Sequence, residues 1–222
     1  MKTFSIAIDG PAGAGKSTIA KKLAHLLQCI YVDTGAMYRS VGYYCIRNGI
    51  SLEDEEAVSK ELPQMDIVLQ HTSDGQRIVL NGEDVSQQIR NTEVAASASK
   101  VATYGAVRKS MVQRQQEMAK STSIIMDGRD IGTVVLPFAT LKIFLTASVE
   151  ERAMRRLKEY EEKGMVCNLE SLKEEISLRD KQDSEREISP LKQADDAIVL
   201  DTTHMEIDEI VAHIQMLLKE RL

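Results

Sequence analysis

Eight residues, Gly10-Pro11-Ala12-Gly13-Ala14-Gly15-Lys16-Ser17, carry the spacing G-x-x-x-x-G-K-[ST], and each type in it has a use against a polyphosphate. Glycines allow positive φ, so successive backbone N–H groups can converge on one phosphate, and a helix starting directly afterwards adds the positive end of its dipole. The Lys16 ammonium is a point charge for the β- and γ-phosphates, and the Ser17 hydroxyl is suited to ligating Mg²⁺. The reading is ATP held through Gly10, Pro11, Ala12, Gly13, Ala14, Gly15, Lys16, Ser17 and Thr18. Further along, Arg39 stands in DTGAMYR (residues 33–39) and Arg129 in DGRDIG (residues 127–132). A guanidinium holds phosphate bidentately and stays charged. Asp127 and Asp33 each close an apolar run and are candidate Mg²⁺ carboxylates. Phosphoryl transfer asks for positioning and positive charge rather than covalent help, and these residue types supply both.

Several elements must position this chemistry. Phe4–Asp9, a short apolar run with β-branched residues, reads as a buried strand, and Thr18–Leu27 shows apolar residues at helical spacing. Strand, glycine turn and helix are the context that a phosphate loop requires. Cys29–Asp33, Ser123–Asp127, Leu141–Leu145 and Ala197–Asp201 are further short, nearly continuous apolar runs, as expected of parallel strands covered on both faces. Asp33, Asp127 and Asp201 end three of them, which places carboxylates at the C-terminal sheet edge, where open α/β sheets bind ligands. The expected fold is α/β, a three-layer core built around a five-stranded parallel sheet and its phosphate loop, in a single domain over 1–222.

One segment departs from this alternation. Residues 65–89 read as small antiparallel strands, Ile67–Gln70 and Arg77–Leu80 about a turn at Asp74-Gly75, followed by the hairpin signal Asn81-Gly82. Helices flank them at about 52–62 and at 93–120, the second broken near Gly105. The result is a small antiparallel β insertion.

Two later helices carry charge. One opens with the capping box Ser148-x-x-Glu151 and ends near Gly164. Its apolar face is Val149, Ala153, Leu157 and Tyr160; Arg152, Arg155 and Arg156 lie on other faces, either as a solvated basic surface paired with glutamates or as part of a site. In the next helix the stripe Leu169, Leu172, Ile176 continues into Arg179, Asp183 and Arg186. Inward-pointing charges need partners or a ligand; the alternative is a helix end frayed into solvent before Ser189-Pro190.

The bulk properties exclude several classes. A net charge of −6 argues against a nucleic acid polymer as partner, since such partners need a basic surface. No apolar run reaches membrane-spanning length, and Asp9-Gly10 comes too early for a signal peptide. The three cysteines, Cys29, Cys45 and Cys167, are scattered and form no C-x-x-C, which suggests free thiols and a cytoplasmic protein. A GTPase switch would need D-x-x-G and N-K-x-D, and neither tetrapeptide occurs.

The motifs GPAGAGKST, DTGAMYR, NGEDVS, DGRDIGTVVLP (residues 127–137), EERAMRR and R-D-x-x-D-x-x-R (residues 179–186) together resemble bacterial cytidylate kinases, nearly end to end. The resemblance implies transfer of the ATP γ-phosphoryl group onto CMP or dCMP by a protein expected to be a monomer. It implies an inserted monophosphate-binding region at about 61–100 and a helical lid at about 150–168. By position, Thr34 and Arg39 would place the acceptor, with Arg39 and Arg129 on its phosphate. Ser99, Arg108 and Asp130 would meet cytosine, Arg179 and Asp183 the ribose, and Arg186 would close over the acceptor. Arg152, Arg155 and Arg156 would belong to the lid over ATP, and Lys16, Arg129, Arg155 and Arg186 would serve the transfer itself.

The base assignment also stands on chemistry. Cytosine offers a donor at N4 and acceptors at N3 and O2, whereas uracil reverses the first two. An Asp130 acceptor with an Arg108 donor fits the former and opposes like poles to the latter. Two alternatives remain open: another small-molecule kinase, acting on UMP, AMP or shikimate, and a non-catalytic ATP-binding switch.

Overall fold

A computed structural model describes residues 3–72, 75–162 and 164–222; the hairpin turn residue Asp74, with Ser73 and Lys163, lies outside the described residues. Along the chain the elements are β1 (Ser5–Asp9), α1 (Lys16–Leu27), β2 (Ile30–Asp33), α2 (Thr34–Arg47), α3 (Glu55–Glu61), β3 (Ile67–Thr72), β4 (Gly75–Leu80), β5 (Glu83–Asp84), α4 (Thr92–Val101), α5 (Gly105–Met118), β6 (Ile124–Gly128), β7 (Leu141–Thr146), α6 (Val149–Glu162), α7 (Leu169–Glu185), β8 (Ile198–Asp201) and α8 (Ile207–Lys219). The chain divides into two compact units, residues 1–29 with 123–222 and residues 30–122.

The parallel sheet has five strands, as the apolar runs anticipate; four of them, in the order β6-β1-β7-β8, belong to the first unit and β2 is the fifth. Central β1 pairs in parallel with β6 from Ser5 opposite Ile124 to Asp9 opposite Gly128, and with β7 from Ile6 opposite Leu141 to Asp9 opposite Phe144. Ile6, Ala7, Ile8, Ile124, Ile125 and Met126 are fully buried. Alternate side chains of a strand point to opposite faces, so this pattern requires cover on both. Helix α1 buries Ile19, Ala20, Leu23 and Ala24, and α8, with Ile210, Val211, Ile214 and Leu218 inward, packs against it. Fully burying an aliphatic side chain contributes about 1.5–3 kcal/mol, so this layer anchors the first unit.

Helices α6 and α7 pack on each other through a small cluster of Ala153, Leu172 and Ile176, with Val149, Leu157, Tyr160 and Leu169 around it. These are the stripes read from sequence. The Ser148 hydroxyl accepts the Glu151 amide at 3.1 Å, and Gly164 ends the helix in the left-handed region with the Met165 amide donating to the Tyr160 carbonyl. So short an apolar seam suits a segment that opens locally.

The second unit carries the antiparallel sheet β3-β4-β5. Asn81 and Gly82 take φ of +49° and +84° in the tight turn between β4 and β5, the mirror-image turn that such a pair favours. Helix α2 packs against α4. Its buried residues Met37, Val41 and Cys45 recur every four positions. The break near Gly105 is real: α4 ends at Val101 and α5 begins at Gly105.

Candidate active site

The phosphate loop fills the turn from β1 to α1. A Cβ on Gly10 would stand 2.0 Å from the Leu145 carbonyl oxygen, so only glycine lets the chain pass the end of β7 there. Gly15, at φ +85°, is the N-cap of α1, and Lys16 opens the helix with its ammonium buried and donating to the Pro11 carbonyl at 2.7 Å. Burial is the main force lowering the Lys16 pKa; the charges of Arg129 and Arg179 add to it, while Asp127 and Asp9 oppose it. An arriving polyanion would reverse that cost. The Ser17 hydroxyl donates to Asp127 Oδ2 at 2.8 Å, which brings both expected Mg²⁺ ligands of this unit together at the end of β6.

The loop after β6 meets the end of α7. Arg129 Nε donates to Asp183 Oδ2 at 2.7 Å, and Arg186 lies within 4.0 Å of Asp183 and 3.8 Å of Asp130. The charged continuation of the α7 stripe therefore points inward: Asp183 and Asp130 are both buried. Burial alone would raise the Asp183 pKa, but Arg129, Arg179 and Arg186 together hold it below its ordinary value. Asp9, one residue before the glycine loop, accepts the amides of Ile131 and Gly132 at 2.8 and 2.7 Å.

The three α6 arginines separate. Arg152 is a buried brace whose guanidinium donates to the carbonyls of Ala147 and Ala12, both at 3.0 Å, and to Asp180 at 2.6 Å. Arg155 is held by Glu151 and by Thr202 after β8, and its Nη1 lies 3.9 Å from where a Cβ would stand on Gly15. Arg156 pairs with Glu175 of α7. All three thus pair with a carboxylate, Arg155 and Arg156 with glutamates.

In the second unit, the Asp33 carboxylate caps α2 by accepting the Ala36 amide at 2.8 Å and holds Arg39 Nη2 at 2.9 Å. Both oxygens are engaged within this unit, whereas the sequence reading offered Asp33 to Mg²⁺. Thr34 is buried in the first turn of α2. Arg108, buried on α5, donates to the Ala102 carbonyl and lies 5.7 Å from the Tyr38 ring. Ser99 is half-buried on α4. Sequence reasoning missed the engagements of Asp9 and Asp180, since neither residue falls in a periodic stripe.

A parallel sheet whose first strand runs through a glycine loop into a helix with a buried lysine, and with a serine paired to an aspartate of the neighbouring strand β6, defines a P-loop kinase core. The model of the cytidylate kinase family matches residues 6–220. A cytidylate kinase of Leuconostoc mesenteroides subsp. mesenteroides is 52% identical over 222 residues, covering 100% of this chain and 99% of the relative. One from Bacillus thuringiensis is 54% identical over 213 residues, covering 96% and 95%. The chain belongs to the cytidylate kinase family. A crystal structure of an uncharacterized protein from Eubacterium ventriosum is similar in fold, with a TM-score of 0.55 at 11% identity, covering 99% of this chain and 100% of that one. No described helix is long and apolar enough to cross a membrane.

Proposed function

We propose that this protein is a cytidylate kinase, transferring the γ-phosphoryl group of ATP in line to CMP, and to dCMP, to give the diphosphate and ADP. The observation that carries the reading is the cluster Arg129, Asp183, Arg186 and Asp130 beside a complete phosphate loop in a chain of this family. Arginines held by buried carboxylates are pre-aimed, so little is lost in ordering them when a phosphate arrives.

In this reading residues 10–18 hold ATP, and Lys16, Arg129, Arg155 and Arg186 stabilise charge on the phosphoryl group in transfer. Ser17 and Asp127 would hold Mg²⁺; a hydroxyl and a carboxylate are the hard oxygen donors it takes, and it usually keeps water and substrate phosphates as its other ligands. Held there, it would supply positive charge against the phosphates. Thr34, Arg39, Ser99, Arg108, Asp130, Arg179 and Asp183 bind the acceptor. Asp33 we assign to holding Arg39 rather than to the metal, because its oxygens already serve that arginine and the α2 cap. The lid, residues 150–168 in this reading, takes in α6 and the stretch that leads to α7, and its closure excludes water and so protects against hydrolysis.

An acceptor panel of CMP, dCMP, UMP, AMP and shikimate with ATP tests the reading. CMP and dCMP should give the highest kcat/KM. A clear preference for UMP, AMP or shikimate would sink it.

A further inference from the structure

Asp9 is a buried carboxylate to which the proposed transfer assigns no task. It closes β1, is 4% exposed, and directs neither oxygen to the glycine loop that follows it: Oδ1 accepts the Ile131 amide and Oδ2 the Gly132 amide. These are the first two amides after Asp130, at the start of the π-helical turn Ile131–Val135. The opening amides of a helical turn have no acceptor within it. Here a side chain more than a hundred residues away in sequence supplies both. The fit is close, for a Cβ on Gly132 would stand 3.4 Å from Asp9 Oδ2 and 3.1 Å from Lys142 Cδ.

Arg129 and Asp130 immediately precede the clamped amides. Neither has a regular element beneath it, since β6 ends at Gly128 and the turn begins at Ile131. Their backbone is fixed on one side by the strand and on the other by Asp9. An ionised carboxylate can accept on both oxygens at once, which no other side chain of this size does; the Asp9 pKa lies near 6, so the ionised form prevails at neutral pH.

We propose that Asp9 is a positioning residue for acceptor selection: by clamping the amides of Ile131 and Gly132 it fixes the orientation in which Asp130 and Arg129 meet the monophosphate. The inference rests on the cytidylate kinase reading. It separates Asp9 from two other roles, a general support of the fold and an electrostatic partner of Lys16 in holding ATP.

Steady-state kinetics of wild type and Asp9→Asn on CMP and UMP, with KM for ATP measured alongside, distinguish these. Asparagine keeps the shape and one acceptor but turns a donor toward the other amide. The expected result is a KM for CMP raised about tenfold, the scale of one buried hydrogen bond. The CMP-over-UMP ratio of kcat/KM should fall by a similar factor, with KM for ATP little changed. An unchanged ratio, or a rise in KM for ATP matching that for CMP, would overturn the proposal. Should Asp9→Asn not fold, Gly132→Ala crowds the same clamp from the other side, and an unchanged ratio there would be equally decisive against it. A wild-type enzyme that does not turn over CMP would instead remove the reading beneath the proposal, and the proposal with it.

Discussion

Asp183, on α7, accepts a hydrogen bond from Arg129 Nε, in the loop after β6, at 2.7 Å. This pair joins the end of α7 to the sheet edge where ligands of α/β proteins bind. Asp183 also stands among the charges of Arg179 and Arg186, so its one negative charge faces three cations. Removing one partner of a buried pair leaves the others uncompensated, at a cost of several kcal/mol.

Asp183→Ala should therefore destabilise the protein by about 3 kcal/mol, the low end for breaking such a pair. For a chain of this length that corresponds to a Tm lower by roughly 8 °C. Thermal unfolding followed by circular dichroism measures it. A Tm equal to that of wild type would mean that Arg129 and Arg186 do not depend on this carboxylate.

Asp130→Asn should narrow the preference for CMP over UMP. An amide can present a donor where the carboxylate presents only acceptors, so the opposition of like poles against uracil is relieved. The two acceptors compared under the same ATP concentration give the ratio, and the same ratio in variant and wild type would take Asp130 out of base recognition.

Arg155 and Arg156 are adjacent in sequence but should differ in effect. Arg155 lies beside the glycine loop, while Arg156 pairs with a half-exposed glutamate. Arg155→Ala is expected to lower kcat roughly a hundredfold, the scale of one preorganised charge contact. Arg156→Ala is expected to change it less than about fivefold, the scale of an exposed ion pair. CMP and ATP together should also increase hydrogen-exchange protection of residues 150–162. Equal losses in the two variants, or protection unchanged by the ligands, would contradict a closing lid around Arg155.

Asp9 gives a pH signature in stability. Burial, aided by the charge of Asp130, raises its pKa to about 6, against the pull of two amides and Lys16. A folded-state pKa above the ordinary 3.8 means that the native state holds this proton more tightly. The group's stabilisation is complete below the ordinary value and is lost as pH rises through about 6. Asparagine carries no such proton. The stability advantage of wild type over Asp9→Asn should therefore be larger near pH 4.5 than near pH 7, by on the order of 2 kcal/mol. Urea titrations at both pH values measure it, and a pH-independent difference would place Asp9 at its ordinary pKa.

Features governed by local chemistry were the legible ones. The glycine loop, the Asn81-Gly82 turn, the Ser148 cap and the buried strands each follow from a few consecutive residues, and each is present. The α7 stripe was readable because a helix carries its periodicity past the point where the side chains change from apolar to charged. Asp9, Asp33 and Arg152 were not readable in the same way. What Asp9 and Arg152 do depends on partners more than a hundred residues distant, Ile131 and Gly132 for one and Ala12 for the other. Asp33 looks like any strand-end carboxylate until its oxygens are seen to cap α2 and hold Arg39. Helix α2 itself opens directly from β2 with no intervening turn residue, which hides its start.

The most direct measurement is ADP release from ATP and Mg²⁺ in a coupled assay, with and without CMP, on wild type and on Lys16→Ala. ADP release that depends on CMP, with kcat lower by roughly a hundredfold in Lys16→Ala, is the expected result. Nucleotide binding with no CMP-dependent ADP release by wild type, or near-wild-type turnover by Lys16→Ala, would contradict phosphoryl transfer at this loop.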